Sequence, residues 1–438
     1  MRFPPIKKSV IMEAYLVGGA VRDALLGLEV SDRDFVVVGA SPQGLLSQGF
    51  IAVGSDFPVF LHPTTKAEYA LARTERKTGA GYKGFVFHAD EQVTLLEDLA
   101  RRDLTINAMA QDERTGEIID PFGGQADLAA GILRHVSPAF SEDPVRILRI
   151  ARFAARFGFS IAPETMALMK KMVAKGEVSA LVPERVWQEL SRGLMEKKPS
   201  IMIETLKACG ALAVILPEVN ALFGVPQRAE YHPEIDTGVH ICMAIDYAAS
   251  QNHPLPLRFA VLTHDLGKGC TDVGIWPRHP NHDKRGIVPL TGLCHRLRVP
   301  LACRELAEIV VLNHTNMHKS LQMRPYALLE LLQKMDAFRR PERFEMALQA
   351  CISDKRGRLN QAQAQYPQAD HLRRALAIMK AVDAGQIAFT YAQDPRKIPY
   401  AITQARCTAL LESDLFSACS RTLQYNALEE SESCSECD

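Results

Sequence analysis

A change of hydrophobic period partway along the chain sets the main constraint on its fold. Up to about residue 120, short β-rich runs alternate with turns. From about Asp143 onward the apolar spacing is three and four residues almost throughout. Residues 15–17, 34–38, 59–61 and 117–119 read as strands, and 20–26 as a short helix ended by Gly27. Further on, Ile147, Ile150, Ala151, Ala154 and Ala155 share one helix face. Pro183 opens a helix, residues 201–212 form another, and Leu216-Pro217 stops it. The chain therefore reads as α+β, a small mixed-sheet head followed by all-helical domains. Its 438 residues, 47% of them hydrophobic, can bury a substantial core and hold about three domains. We expect divisions at 1–140, 141–225, 226–358 and 359–438. Phe223-Gly-Val-Pro226 reads as a linker and residues 429–438 as a disordered acidic end.

Charge and cysteine usage exclude several classes. Lys plus Arg and Asp plus Glu both number 51, so the formal net charge is +0 and a globally basic RNA-coating protein is excluded. Phosphate binding has to come from local clusters. No run reaches the roughly 18 apolar residues of a membrane helix. The first ten residues carry positive charge but no long apolar core, so the protein reads as cytoplasmic, with no membrane partner. All 10 Cys lie from Cys209 onward, unlike a secreted disulfide framework. Cys434 and Cys437 form a lone C-x-x-C in a polar tail, to which no role is assigned.

One constellation carries the chemistry of the head. In Leu16-Val-Gly-Gly-Ala-Val-Arg-Asp23 a β-run meets two glycines and turns into a helix, a geometry that admits close backbone approach and offers N–H donors to an anion. Arg22 falls on the first turn. A glycine pair alone is common in plain turns, but Asp32-Arg33-Asp34 opens the next strand. Residues two apart in a strand point to one side. Two adjacent carboxylates repel and hold together best around a divalent cation, and hard oxygens suit Mg²⁺. Together these are the parts of a phosphoryl- or nucleotidyl-transfer site. Arg146, Arg149 and Arg152 recur every three residues, and with Arg156 place four arginines within eleven residues on one helix, more than a solvated face needs.

Three segments carry a resemblance in order and spacing. Gly-Gly-Ala-Val-Arg-Asp with the following Asp-Arg-Asp, Glu97-Asp-Leu-Ala-Arg-Arg-Asp-Leu-Thr-Ile-Asn107, and Glu142-Asp-Pro-Val-Arg-Ile-Leu-Arg-Ile-Ala-Arg-Phe153 resemble the signatures of class II tRNA nucleotidyltransferases and bacterial poly(A) polymerases. The resemblance covers about the first 225 residues. It implies that Asp32 and Asp34 hold the catalytic Mg²⁺ ions, which activate an RNA 3′-hydroxyl and neutralise the pyrophosphate. It also implies that Gly19, Arg22, Arg102, Arg149 and Arg152 bind the nucleotide, and that Asp143 and Arg146 read the edge of C or A without a template. The stretch 163–222, with Glu184-Arg-Val-Trp-Gln-Glu-Leu190, resembles the neck and RNA-binding segment, in which Trp187 reads as core rather than as a base-stacking ring.

Histidine marks a second chemistry. Of 13 His, nine lie between His232 and His318, and only three precede them. His264-Asp265 follows an apolar helix and precedes a glycine, with His240 upstream and His282, His314 and Asp354 downstream. Imidazoles and carboxylates without thiolates favour a transition metal such as Ni²⁺, Mn²⁺ or Co²⁺ over Ca²⁺. His240, His264, Asp265 and Asp354, with His282 and His314 added, resemble the ligand pattern of HD-type metal-dependent phosphohydrolases over about 237–355. This domain accompanies the head in bacterial enzymes of the multifunctional type. The combined resemblance implies CCA addition to the 3′ end of tRNA from CTP and ATP. It also implies phosphatase, 2′-nucleotidase and 2′,3′-cyclic phosphodiesterase activities, in a monomer or homodimer. A poly(A) polymerase, a CC- or A-adding specialist, and an HD nucleotide sensor with an inert head are the rivals. The His-rich domain counts against the polymerase, a flexible loop after the first motif is what mainly distinguishes the specialist, and the intact Asp32, Asp34, Arg102 and Arg149 count against the sensor.

Overall fold

The computed structural model describes residues 13–30, 32–53, 59–77, 85–88 and 91–416. The N-terminal ten residues, the 429–438 end and Cys434 and Cys437 lie outside the described residues. The chain forms two compact units, Met1–Ile215 and Leu216–Asp438.

Among the described residues the first unit has eleven strands: β1 (Glu13–Val17), β2 (Asp34–Val38), β3 (Ile51–Val53), β4 (Val59–Leu61), β5 (Glu68–Leu71), β6 (Thr74–Lys77), β7 (Phe85–His88), β8 (Ala110–Asp112), β9 (Ile118–Ile119) and the parallel pair β10 (Ile132–Leu133) and β11 (Ser160–Ile161). Seven make a mixed sheet in the order β3-β4-β5-β2-β1-β8-β9, and β6 and β7 pair separately. Phe35, Val36 and Val37 of β2 are all buried, as a central strand covered on both faces requires. β2 runs antiparallel to β1 and parallel to β5, with Asp34 in register with Glu68. β3, β5, β6, β7 and β8 escape a reading by period because they are short or polar; β6 reads Thr-Glu-Arg-Lys.

The arginine-rich helix spans Val145–Phe157 and is closed by Gly158 at φ 71. Ile147, Leu148, Ile150 and Ala151 are fully buried on its apolar face, which packs against the helices Pro183–Leu194 and Pro199–Ala208. The helix expected over 201–212 is two pieces, Pro199–Ala208 and Leu212–Ile215. Gly210, at φ 84, turns the chain between them. Leu216-Pro217 does not merely stop a helix, because Pro217 opens the short helix Pro217–Asn220. The division between the two units, after Ile215, falls seven residues before the expected linker. Phe223–Pro226 is tied into the second unit: Val225 O accepts from the Thr237 amide and hydroxyl, and the Gly224 amide donates to Asp236.

The second unit is helical. Thr237–Ser250, Leu255–Thr263, Leu301–His318 and Pro341–Arg356 pack on one another, and Pro367–Lys380, Ala384–Thr390 and Ile398–Leu411 follow. Among the described residues no helix is long and apolar enough to cross a membrane.

Candidate active sites

The head presents a cavity of about 650 Å³ walled by ten arginines, with Gly18, Gly19, Asp34 and Glu68 also in its lining. Each predicted arginine is held by an internal partner, so the wall is preorganised. Arg22 is buried. It donates to Asp23 and to Asn107 Oδ1 at 2.6 Å, and its guanidinium lies 5.1 and 5.0 Å from the rings of Phe153 and Phe157. Burial lowers its pKa against the opposing pull of Asp23. Arg102 pairs with buried Asp98 at 3.1 Å, Arg149 with Asp103 at 2.7 Å and Arg152 with buried Glu189 at 2.7 Å. Arg146 donates to the carbonyls of Ala139 and Arg101. Burial pushes the Asp103 carboxyl up, but Arg149, the Asn107 amide and Arg146 outweigh it and hold the group well below the usual carboxylate range. A stripe that could have been a solvated face is thus one wall of a cleft.

Asp143 sits just before the arginine-rich helix rather than on it. Arg185 of Pro183–Leu194 grips it by a fork of 3.1 and 2.7 Å. Arg185 was not legible as a site residue. Trp187 is half-buried, not core. Asp32 lies in the lead-in to β2 and Asp34 on its first residue, and both line one cavity. Desolvation pushes the Asp34 carboxyl up, Arg102 opposes and Asp32 adds to it. The donor set is oxygen only, with Glu68 beside Asp34 across the parallel pair. It fits a metal that takes one or two protein carboxylates and fills its remaining positions with phosphate and water.

In the second unit all six predicted ligands converge. Among the described residues, His240, His264 and Asp265 offer ligand atoms within 4.8 Å of one another, as do Asp265, His282 and His314. His264 Nδ1 donates to Val261 O, His282 Nδ1 to His279 O, and His314 Nδ1 to Val310 O. That leaves Nε2 of each neutral ring as a bare lone pair. His282 Nε2 and His314 Nε2 face each other at 3.1 Å, each 3.5 Å from Asp265 Oδ1, an atom with no hydrogen bond of its own. His264 Nε2 is likewise buried without a hydrogen bond, and His240 Nε2 stands 3.1 Å from Asp354 Oδ1. Burial pushes His282 down to about 4 despite Asp265, so the ring is neutral at pH 7. The Nε2 lone pairs of His264, His282 and His314 converging with Asp265 Oδ1 in a buried space fit a bound cation.

Over 399 residues the chain is 60% identical to the multifunctional CCA protein of Chromobacterium violaceum, covering 91% of this chain and 98% of that one. It is also 60% identical to the multifunctional CCA protein of Burkholderia cenocepacia over 92% of this chain and 99% of that one. The chain belongs to the multifunctional CCA protein family. Residues 14–134 match the poly A polymerase head domain, and 158–223 the probable RNA and SrmB-binding site of polymerase A. In fold, this multifunctional CCA family member is similar to a CCA-adding enzyme solved with CTP, at TM-score 0.60, 20% identity and coverage of 94% and 92% of the two chains.

The surrounding side chains of the histidine centre were missed by sequence reasoning. Glu234 Oε1 stands 2.8 Å from His240 Nδ1, and Lys268 Nζ donates to Asp265 Oδ2 at 2.7 Å. His318 Nε2 donates to Asp354 Oδ2 while its Nδ1 accepts from Tyr366, and Arg358 donates to Asp354 Oδ1 at 3.0 Å. Glu234 and His318 lie within the histidine-rich interval, which was the available signal. Gly267 fixes the centre in another way. A Cβ there would stand 1.8 Å from His282 O and 2.7 Å from Gly286 N, so only glycine lets the 266–270 turn seat the His282 helix. Gly267→Ala is expected to displace His282 and weaken transition-metal binding at least about tenfold, the range for losing an orienting partner. Isothermal titration with Mn²⁺ checks this, and unchanged affinity in the folded variant would remove His282 from the centre.

Proposed function

We propose that this chain adds and repairs the CCA end of tRNA, using CTP and ATP and releasing pyrophosphate, with Mg²⁺ at Asp32 and Asp34. The observation that carries the reading is the paired carboxylates at the edge of an arginine-walled cavity. When bound, the metal supplies charge neutralisation and lowers the barrier to attack by a 3′-hydroxyl. The chain's own residues do the rest. Arg102, Arg149 and Arg152 receive the triphosphate as fixed cations, with Gly18 and Gly19 letting the backbone approach it. Internal pairing holds their guanidinium groups without reorganisation as charge moves onto the leaving group. Asp143, oriented by Arg185, accepts from an exocyclic amine, and Arg146 donates to a ring acceptor, a pattern that C and A present and U and G do not. The cytoplasm, where tRNA is processed, is the proposed location.

The converging ligands of His240, His264, Asp265, His282, His314 and Asp354 support a second activity. The centre hydrolyses terminal and 2′,3′-cyclic phosphates with Ni²⁺, Mn²⁺ or Co²⁺, which polarises the phosphoryl oxygen when bound. Purified protein is tested with a tRNA lacking its last three nucleotides and with CTP and ATP singly and together. Addition of C, C, A only when both are present supports the reading. A long A tract from ATP alone would identify a poly(A) polymerase instead. Replacing Asp143 or Arg146 by Ala is expected to relax discrimination against UTP and GTP by about 1–3 kcal/mol, read as kcat/KM ratios for the four nucleotides. Equal loss with all four would place the pair on phosphate or fold.

A further inference from the structure

Two cavities meet at the paired carboxylates of the head. Asp34, Phe35 and Glu68 line the arginine-walled cavity and also a second one of about 740 Å³. The second cavity has the opposite charge character: Asp32, Asp34, Glu68 and Glu113 line it against Arg33 and Lys66 alone. A triphosphate placed there would set several negative charges against four carboxylates, whereas a nucleoside bearing hydroxyls and one phosphodiester brings a single negative charge. In transfer at phosphorus the attacking and leaving oxygens lie roughly in line on opposite sides of the reacting atom. With the triphosphate along the arginines, the attacking hydroxyl arrives from across the carboxylates, from this second cavity.

Its far wall is the turn between β4 and β5, and that turn carries a prepared donor. His62 Nδ1 accepts from the amides of Thr64 and Thr65, both at 3.2 Å, which puts the proton of the neutral ring on Nε2. The imidazole is packed among aromatic rings, 5.3 Å from Phe50 and 5.8 Å from Tyr69, and Tyr69 stacks on Phe35 at 4.5 Å and 11°. Lys66 stands in the same turn at φ 60, a backbone conformation few side-chain-bearing residues adopt. Its exposed ammonium, which donates to Pro63 O at 3.0 Å, brings a cation to a cavity otherwise rich in carboxylates.

We propose that this cavity receives the 3′-terminal nucleotide of the RNA, with His62 Nε2–H and Lys66 Nζ contacting the phosphodiester behind it and the Tyr69 wall backing the sugar and base. This inference rests on the nucleotidyl-transfer reading above. In the step it serves, the 3′-oxygen bonds to the α-phosphorus as the bond to the pyrophosphate oxygen breaks, and the hydroxyl proton passes to solvent. His62 and Lys66 are positioning residues for the RNA end and do not touch the incoming nucleotide.

The test is steady-state addition of C to a tRNA lacking its last three nucleotides, by the full chain, varying RNA and CTP separately. Lys66→Gln is expected to raise the KM for RNA about tenfold, the usual effect of losing a charged phosphate contact, with the KM for CTP unchanged. Lys66→Arg should recover most of the loss. His62→Phe, which keeps a ring but removes the donor, should raise the RNA KM in the same way and serves as the second, independent variant. An unchanged RNA KM in both variants, or an equal rise in the KM for CTP, overturns the subsite while wild-type addition upholds the activity. A wild-type protein that adds nothing overturns both.

Discussion

Asp32→Ala and Asp34→Ala are each expected to reduce nucleotide addition by on the order of a thousandfold or more, about 4 kcal/mol of transition-state stabilisation, while hydrolysis of 2′,3′-cyclic phosphate stays at the wild-type rate. The expectation follows from the division of labour in the head. The arginines that would hold the triphosphate pair with Asp98, Asp103 and Glu189, none of which is a proposed metal ligand. Removing a carboxylate from β2 therefore leaves the phosphate wall intact, and the KM for CTP should move little while kcat collapses. Asp34 is the more sensitive of the two, because it opens the strand that runs between β1 and β5 and lines both cavities. Single-turnover addition with labelled CTP measures the effect. A variant retaining more than about a tenth of the wild-type rate would take the metal off that residue.

Chelation followed by selective metal return is expected to separate the two activities. Mg²⁺ should restore addition, because the head offers oxygen only, and Mn²⁺, Co²⁺ or Ni²⁺ should restore hydrolysis best, because the second centre offers imidazole nitrogen. His264→Ala should lower bound transition metal and phosphatase turnover together, by about a hundredfold, beyond the loss from an outer partner alone. Addition to a tRNA with a free 3′-hydroxyl should stay near normal. The physical basis is the buried convergence of His264 Nε2, Asp265 Oδ1 and the Nε2 atoms of His282 and His314, which lack hydrogen bonds or face one another. Metal analysis of the purified variant accompanies the kinetics. Full hydrolysis with Mg²⁺ alone, or a folded His264→Ala protein unable to add nucleotides, would defeat the two-centre reading.

The sequence by itself determined the chemistry and its order along the chain. Local rules settled this: the period change near Asp143, the glycine turn before Arg22, and the adjacency of His264 and Asp265 each depend on residues close together. The same locality explains the errors. A helix over 201–212 satisfies periodicity, but Gly210 adopts a left-handed turn that divides it. Phe223–Pro226 has linker composition, yet hydrogen bonds to Asp236 and Thr237 tie it into the helical unit. Tertiary structure alone decided which side chains meet. Glu68 lies 34 residues from Asp34 and reaches it through a parallel strand pairing that its own sequence does not announce. Arg185 grips Asp143 from a helix 42 residues further along the chain, and His318 reaches Asp354 because Leu301–His318 packs on Pro341–Arg356. Sequence carries the ligands; only packing brings distant lone pairs to one point and buries them away from solvent.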